Sequence, residues 1–233
     1  MSVHRVEVVL HVVLAASLSV PGAAVRAVGQ GGAESPEALV ARLDAAIADR
    51  SLSELVACLA PRERAAMVAS LLLAVETAAA DIAETVRGTR EGIAAAQEPP
   101  DPDFVAQIEA MAATSATMTS RLAALKERHG IPASTDGAAV MEADLESAKR
   151  LARAQATFGH VDHAAVLGEL LALMEPVGGP SEEGLFAALP RGRLSDLSID
   201  GDRATGRMGE GGIEIELVRL DGRWYGSFGD GLM

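Results

Sequence analysis

His160-Val161-Asp162-His163 is the densest group of side chains able to do chemistry in this chain. Two imidazoles three residues apart can share one helical face, and a neighbouring carboxylate can orient one ring. That is the start of a metal site, but a zinc ion asks for three or four protein ligands. His129 follows a separate helix and would have to join by packing. The expectation is a capped helix start carrying surface histidines, with no metal and no cofactor. Asp200, Asp202 and Asp221 resemble calcium ligands until their spacing is compared with a loop that wraps the ion. They belong instead to Asp-Gly turns. Gly209-Glu210-Gly211-Gly212 lacks the lysine and the following helix of a phosphate cradle, so Glu210 reads as a turn residue. There is no Gly-x-Ser-x-Gly elbow, and the serines, histidines and aspartates show no spacing that singles out a triad. No catalytic residue is assigned. Cys58 is the one cysteine. It cannot form an intramolecular disulfide, and its apolar helical neighbours Leu55, Val56 and Leu59 predict a buried, inert thiol.

The elements that would position these groups follow from composition and pattern. The 233 residues are 49% hydrophobic but only 3% aromatic. A core of Ala, Leu, Val and Met is implied, and Ala favours helices. The net charge of −13 argues against nucleic acid as a partner, since phosphate binding needs Lys and Arg. It argues equally against docking on anionic lipid.

Residues 1–27 read as a secretory signal peptide. Arg5 begins it, Val8 to Val20 form the apolar stretch, and Val25-Arg26-Ala27 offers a cleavage site. The stretch is short and interrupted, so no stable membrane span is expected in the mature chain. Residues 28–34 read as a Gly-rich linker. The predicted location is secreted or periplasmic.

Residues 35–98 carry N-terminal helices. Ser35 caps the first, with Pro36 at its first position, and a short second helix ends near Leu59. Pro61 opens a third, expected to end near Arg87-Gly88, with a ragged continuation to Gln97 as the alternative. Residues 99–190 form a helical region opened by the cap Asp101 and by Pro102. Phe104, Ile108, Met111, Ser115, Met118, Leu122 and Leu125 alternate spacings of four and three, the period of a coiled-coil seam. A further helix is predicted over 138–157, another ends at Leu173, and a short turn precedes Pro190. Residues 191–233 change to alternating periodicity. Four strands are expected there, with Asp200-Gly201 and Asp221-Gly222 at hairpin turns. The fold class is α+β: N-terminal helices and a long helical hairpin packed on a C-terminal four-stranded antiparallel sheet.

Two stretches carry a family resemblance. Ser35 to Arg50, followed by Ser51-Leu52-Ser53-Glu54-Leu55 to Leu59-Ala60-Pro61, resembles the opening helices of nuclear-transport-factor-two-like domains. The secreted bacterial members of that cystatin-like cone superfamily are most similar. Leu197 to Gly206, with Glu216 to Tyr225, resembles their closing hairpins. The resemblance implies a curved antiparallel sheet wrapped on helices around a conical pocket. The helical middle, from Glu63 to Pro190, would be an insertion. No position matches the acid–base motif of the superfamily's enzymes.

The expected function is therefore non-catalytic binding outside the cytoplasm, the ligand unknown. A small apolar ligand would meet the sheet face at Trp224, Phe228, Ile213 and Ile215, which otherwise form its core. A protein partner would meet the stripe Ile108, Met111, Met118 and Leu122, through which helix 101–129 could also form a homodimer. The alternatives are a pocket enzyme, an isomerase or hydrolase, and a helical protein-interaction module.

Overall fold

The computed structural model describes residues 31–96, 99–142, 146–188, 194–208 and 213–227. Residues 1–27, read above as a signal peptide, residues 28–30, the turn expected at 209–212 and Phe228 lie outside the described residues.

Each helix begins where a cap satisfies its free amides. The Ser35 hydroxyl accepts from the Ala38 amide at 3.1 Å and starts α1 (Pro36–Ala48). Leu39, Val40, Leu43, Ala46 and Ile47 make its buried stripe. Ser51 caps α2 (Leu52–Ala57). The long α3 (Pro61–Ala95) follows, then α4 (Pro102–Arg128), capped by Asp101. The two lie antiparallel: Ser115 donates to the Ala79 carbonyl at 2.9 Å, and Arg90 pairs with Glu109 at 2.7 Å. Near the base of this hairpin, Lys126 bonds Glu76 at 2.8 Å and the Thr135 carbonyl at 2.6 Å.

The third helix runs past Gly88 to Ala95, close to the longer of the two expected ends. A lone glycine costs a helix only about 1 kcal/mol, and the pairs Arg87–Glu84 and Arg87–Glu91 bracket it. The helix predicted over 138–157 is divided into α5 (Gly137–Val140) and α6 (Ser147–Phe158). Asp136 caps α5, and Glu76 accepts from the Gly137 amide at 2.8 Å. Arg153 of α6 reaches back to the Ala139 carbonyl at 2.6 Å and to Glu142 at 2.9 Å. These bonds replace the helical ones that a continuous element would make.

The apolar α7 (His163–Met174) buries Val166, Leu167, Leu170, Leu171, Leu173 and Met174. A 3-10 turn (Glu175–Val177) and α8 (Glu182–Ala188) complete the helical layer. The core runs through α3, whose Val68, Leu71, Leu72 and Val75 are buried. By length and composition α3 is also the one described helix able to cross a membrane. Here it packs against α4, α5, α6 and α7.

The sheet is an antiparallel meander in the order β1 (Leu194–Asp200), β2 (Arg203–Met208), β3 (Ile213–Leu220), β4 (Arg223–Ser227). The chain is thus an α+β protein, with helices packed on a C-terminal four-stranded sheet. The second Asp-Gly turn has positive φ at both Asp221 and Gly222, 50° and 80°, as a two-residue hairpin of that type requires. The first differs by one position. Asp200 pairs with Arg203, so Gly201 and Asp202 are the central residues, and of these Gly201 alone has a positive φ, 59°. A glycine at the first central position satisfies the alternative hairpin turn. A bulge between Ser195 and Ser198, with Asp196 at φ 51°, lets Leu194 and Leu197 both pack on the core despite their odd spacing.

The stretch read as a linker is tied to the sheet at Ala33 by an isolated antiparallel bridge. Ala33 exchanges two backbone hydrogen bonds with Trp224, at 2.9 and 2.7 Å. On the same edge of β4, Gly226 donates to the Cys58 carbonyl and accepts from the Ala60 amide, at 2.9 and 3.0 Å. Three arginines hold the adjoining backbone. Arg223 bonds the Gly31 and Gly32 carbonyls, Arg42 also bonds Gly32, and Arg64 bonds Ala57 and Leu59. Gly32 has φ 71°, and a Cβ there would stand 2.7 Å from the Trp224 carbonyl and from the Tyr225 ring. Replacing Gly32 by Ala should therefore destabilise the fold by about 2 kcal/mol or more. Urea unfolding followed by the emission of Trp224, the sole tryptophan, checks this. A midpoint equal to wild type would show that the strap does not hold β4.

Candidate functional site

The residues singled out by type are placed as follows. Asp162 caps α7 by accepting from the Ala165 amide at 3.1 Å. His160 is exposed, its Nε2 lying 3.3 Å from the Gly130 carbonyl. His163 is half-buried, and burial, aided by the Arg64 guanidinium, holds it below its ordinary value, so its ring is the neutral form. Among the described residues no group of three or more His, Cys, Asp or Glu is placed to hold a metal ion. Asp200, Asp202 and Asp221 are exposed at the hairpin turns. Cys58 is fully buried, and burial pushes its thiol up to about 12.

Trp224 and Ile215 lie in the core, 5% and 7% exposed, with Ala204 and Leu217 beside them in one apolar cluster. The Ile213 side chain and Phe228 lie outside the described residues. Ile108, Met118 and Leu122 are buried and Met111 is half-buried. The seam of α4 is thus occupied within the chain, and self-association through this helix would have to use another face. Phe104, at its first turn, stays exposed.

An open groove lies elsewhere, between the last two turns of α4 and the middle of α7. Its volume is about 290 Å³, and it is lined by Arg121, Ala124, Leu125, Arg128, Glu169 and Leu173. Helical spacing accounts for the lining. Positions 121, 124, 125 and 128 fall at i, i+3, i+4 and i+7, and positions 169 and 173 fall at i and i+4, so each set shares one face. Leu125 and Leu173, almost wholly buried, form the floor. Arg128 and Glu169 form an ion pair across the two helices. His129 Nε2 is 3.1 Å from the second carboxylate oxygen of Glu169. Arg121 has no hydrogen-bond or ion-pair partner among the described residues.

The electrostatics of Glu169 are a contest. Partial burial raises its carboxyl, but the hydrogen bonds from His129 and Arg128, with their charges, outweigh it and hold the group below its ordinary value. The described lining holds one carboxylate, Glu169, bonded by the neighbouring His129 ring, and no hydroxyl or thiol.

Sequence reading did not find this groove. The Arg121-x-x-Ala124-Leu125-x-x-Arg128 spacing is legible, but nothing in it says that α7 will supply the other wall. No protein-family model, curated protein or solved structure matches this chain.

Two solution measurements follow. The Cys58 thiol should stay unreactive toward a disulfide reagent at neutral pH and become reactive only with global unfolding; fast labelling of the native protein would contradict its burial. Glu169→Gln should lower the melting temperature at neutral pH. Glu169 has a depressed value in the folded state, so its stabilisation is present above the ordinary carboxylate range and is lost as pH falls through the folded value. The gap between wild type and variant should close in acid. A gap that persists there would show that the carboxylate is not held by His129 and Arg128.

Proposed function

We propose that this chain is an exported, secreted or periplasmic, non-catalytic binding protein that takes a small ligand in the groove between α4 and α7. The observation that carries this reading is the open groove itself, above the buried Leu125 and Leu173, with Arg121 at its wall and without a partner among the described residues. Binding sites combine apolar lining with a few polar groups that fix orientation. Export is supported by the composition of residues 1–27: an apolar run after Arg5, then small residues at Val25-Arg26-Ala27. Kinship with nuclear-transport-factor-two-like domains is part of the same proposal. It rests on capped helices preceding a meander whose last strand is bonded back to Ala33, Cys58 and Ala60.

Ligand-observed NMR with a panel of carboxylate, amine and alcohol fragments tests the groove. Ala124 is exposed on the wall, so Ala124→Trp fills the groove without disturbing the core. At least one fragment class should bind the wild type and lose its signal with this variant. A panel that fails to distinguish the two proteins overturns the groove. Mass spectrometry of the secreted or periplasmic fraction tests export: a chain beginning at Val28 is expected. An intact Met1 in a soluble cytoplasmic fraction would sink that part of the proposal.

A further inference from the structure

The spacing that a leader peptidase reads, a small residue two before an alanine, occurs twice near the start of this chain. Val25-Arg26-Ala27 offers it, and Gly31-Gly32-Ala33 repeats it. Composition alone allows a cut after either alanine. The structure separates the two, given the reading above that the chain is exported.

Residues 31–33 are small because the fold leaves them no room. A Cβ on Gly31 would collide with the Arg64 guanidinium and stand 2.8 Å from the Ala57 carbonyl oxygen. Gly32 has φ 71°, and its amide donates to the Ala57 carbonyl at 2.9 Å. Ala33 is 7% exposed, and both polar groups of its main chain are taken by Trp224. The Gly31 and Gly32 carbonyls accept from Arg223, and Gly32 accepts from Arg42 as well. A cut after Ala33 would remove every one of these bonds. It would uncover the Trp224 amide and carbonyl on the outer edge of β4, and an open edge invites pairing with another chain. It would also create an α-ammonium on Glu34, one residue before Ser35, the cap of α1. That sets a positive charge against the positive end of the helix dipole. A cut after Ala27 does none of this, since Val28-Gly29-Gln30 still precede Gly31.

We infer that Gly31-Gly32-Ala33 is a strap that the mature protein keeps, and that leader removal falls upstream of Gly31. The second small-residue pair belongs to the sheet edge and is not a processing site. Closure of the strap also withdraws the Ala33–Glu34 bond from proteases, which need the main-chain groups that Trp224 already holds.

The full chain, expressed with its leader, tests this. Mass spectrometry of the exported protein should find a first residue no later than Gly31. In hydrogen exchange on that protein, the Trp224 amide should be as protected as the amides of β2 and β3. Ala33→Pro removes the amide that bonds the Trp224 carbonyl. This variant should be cut at the same place as wild type and melt lower by about 4 °C or more. Should it fail to accumulate, exchange in the wild type decides. Rapid exchange at Trp224, or an Ala33→Pro protein that melts with the wild type, overturns the strap. An exported chain beginning at Glu34 overturns it too and leaves the export reading standing. An intact Met1 in a soluble cytoplasmic fraction overturns export and the placement of the cut together.

Discussion

The structure depends on how the last strand is held. β4 has β3 on one side and, on the other, two separate pieces of the N-terminal chain. Ala33 bonds it antiparallel through Trp224, and the Cys58–Ala60 segment bonds it parallel through Gly226. A strand with unpaired amides and carbonyls is a template for aggregation; here the outer edge is closed by backbone that is fixed anyway. Both pieces lie far in sequence from β4, so the clamp forms only when everything between them and the last strand has folded back. Arg42, Arg64 and Arg223 are the fasteners, since all three donate to main-chain carbonyls of the clamp. Arg42 is itself oriented by Glu54, at 2.8 Å. The buried Glu63 next to the clamp accepts from Ser227 at 2.9 Å, so even the end of β4 is tied to the first turn of α3.

That clamp fixes the start of α3, and α3 in turn sets out the rest. It is the axis against which α4, α5, α6 and α7 pack. The register between α3 and α4 is marked by three polar contacts along their length: Glu76 with Lys126, Ala79 with Ser115, and Arg90 with Glu109. A largely buried pair such as Glu76–Lys126 adds little net stability, because desolvation offsets the attraction. Its value lies in geometry. Glu76 spends one oxygen on Lys126 and the other on the Gly137 amide, so a single carboxylate sets the positions of α4 and α5 together. The groove is a consequence. Once α4 is fixed, its last turns face α7, and Arg128 and Glu169 meet.

Much of this was legible in the sequence, because it is written in local rules. The caps at Ser35, Asp101 and Asp162, the alternation of Ile215 and Leu217 with Glu214 and Glu216, and the glycine turns all follow from spacing. So does the burial of Trp224. Two errors have a common cause. The stretch 138–157 looked like one helix, and residues 28–34 like a linker. In both, a contact distant in sequence decided the outcome: Glu76 for the first and Trp224 for the second. At Gly88 a single glycine was too weak a signal to end the helix. The coiled-coil period of α4 was real, but a seam pattern does not say whose helix fills it. The α4–α7 groove was invisible for the same reason, since its two walls lie some forty residues apart and carry no motif.

These facts also explain why the binding reading moves from the sheet to the helices. A sheet face can line a cavity only where bulk is missing beneath it. Here Ala204, Ile215, Leu217 and Trp224 join the same cluster as α1, α3 and α7. Gly206 is itself covered, since a Cβ there would stand 2.6 Å from the Leu194 side chain. The small residues of β2 therefore allow close packing instead of leaving space. Between α4 and α7 the situation is reversed. Leu125 and Leu173 complete the core from below, while Ala124, too short to reach across, leaves the volume above them open. An arginine that found a carboxylate there would close the gap, as Arg128 does. Arg121, two turns before Arg128 on the same face of α4, has no partner among the described residues. The groove therefore owes its opening to a small side chain on one helix, and it is there, not at the filled sheet face, that the proposed ligand would sit.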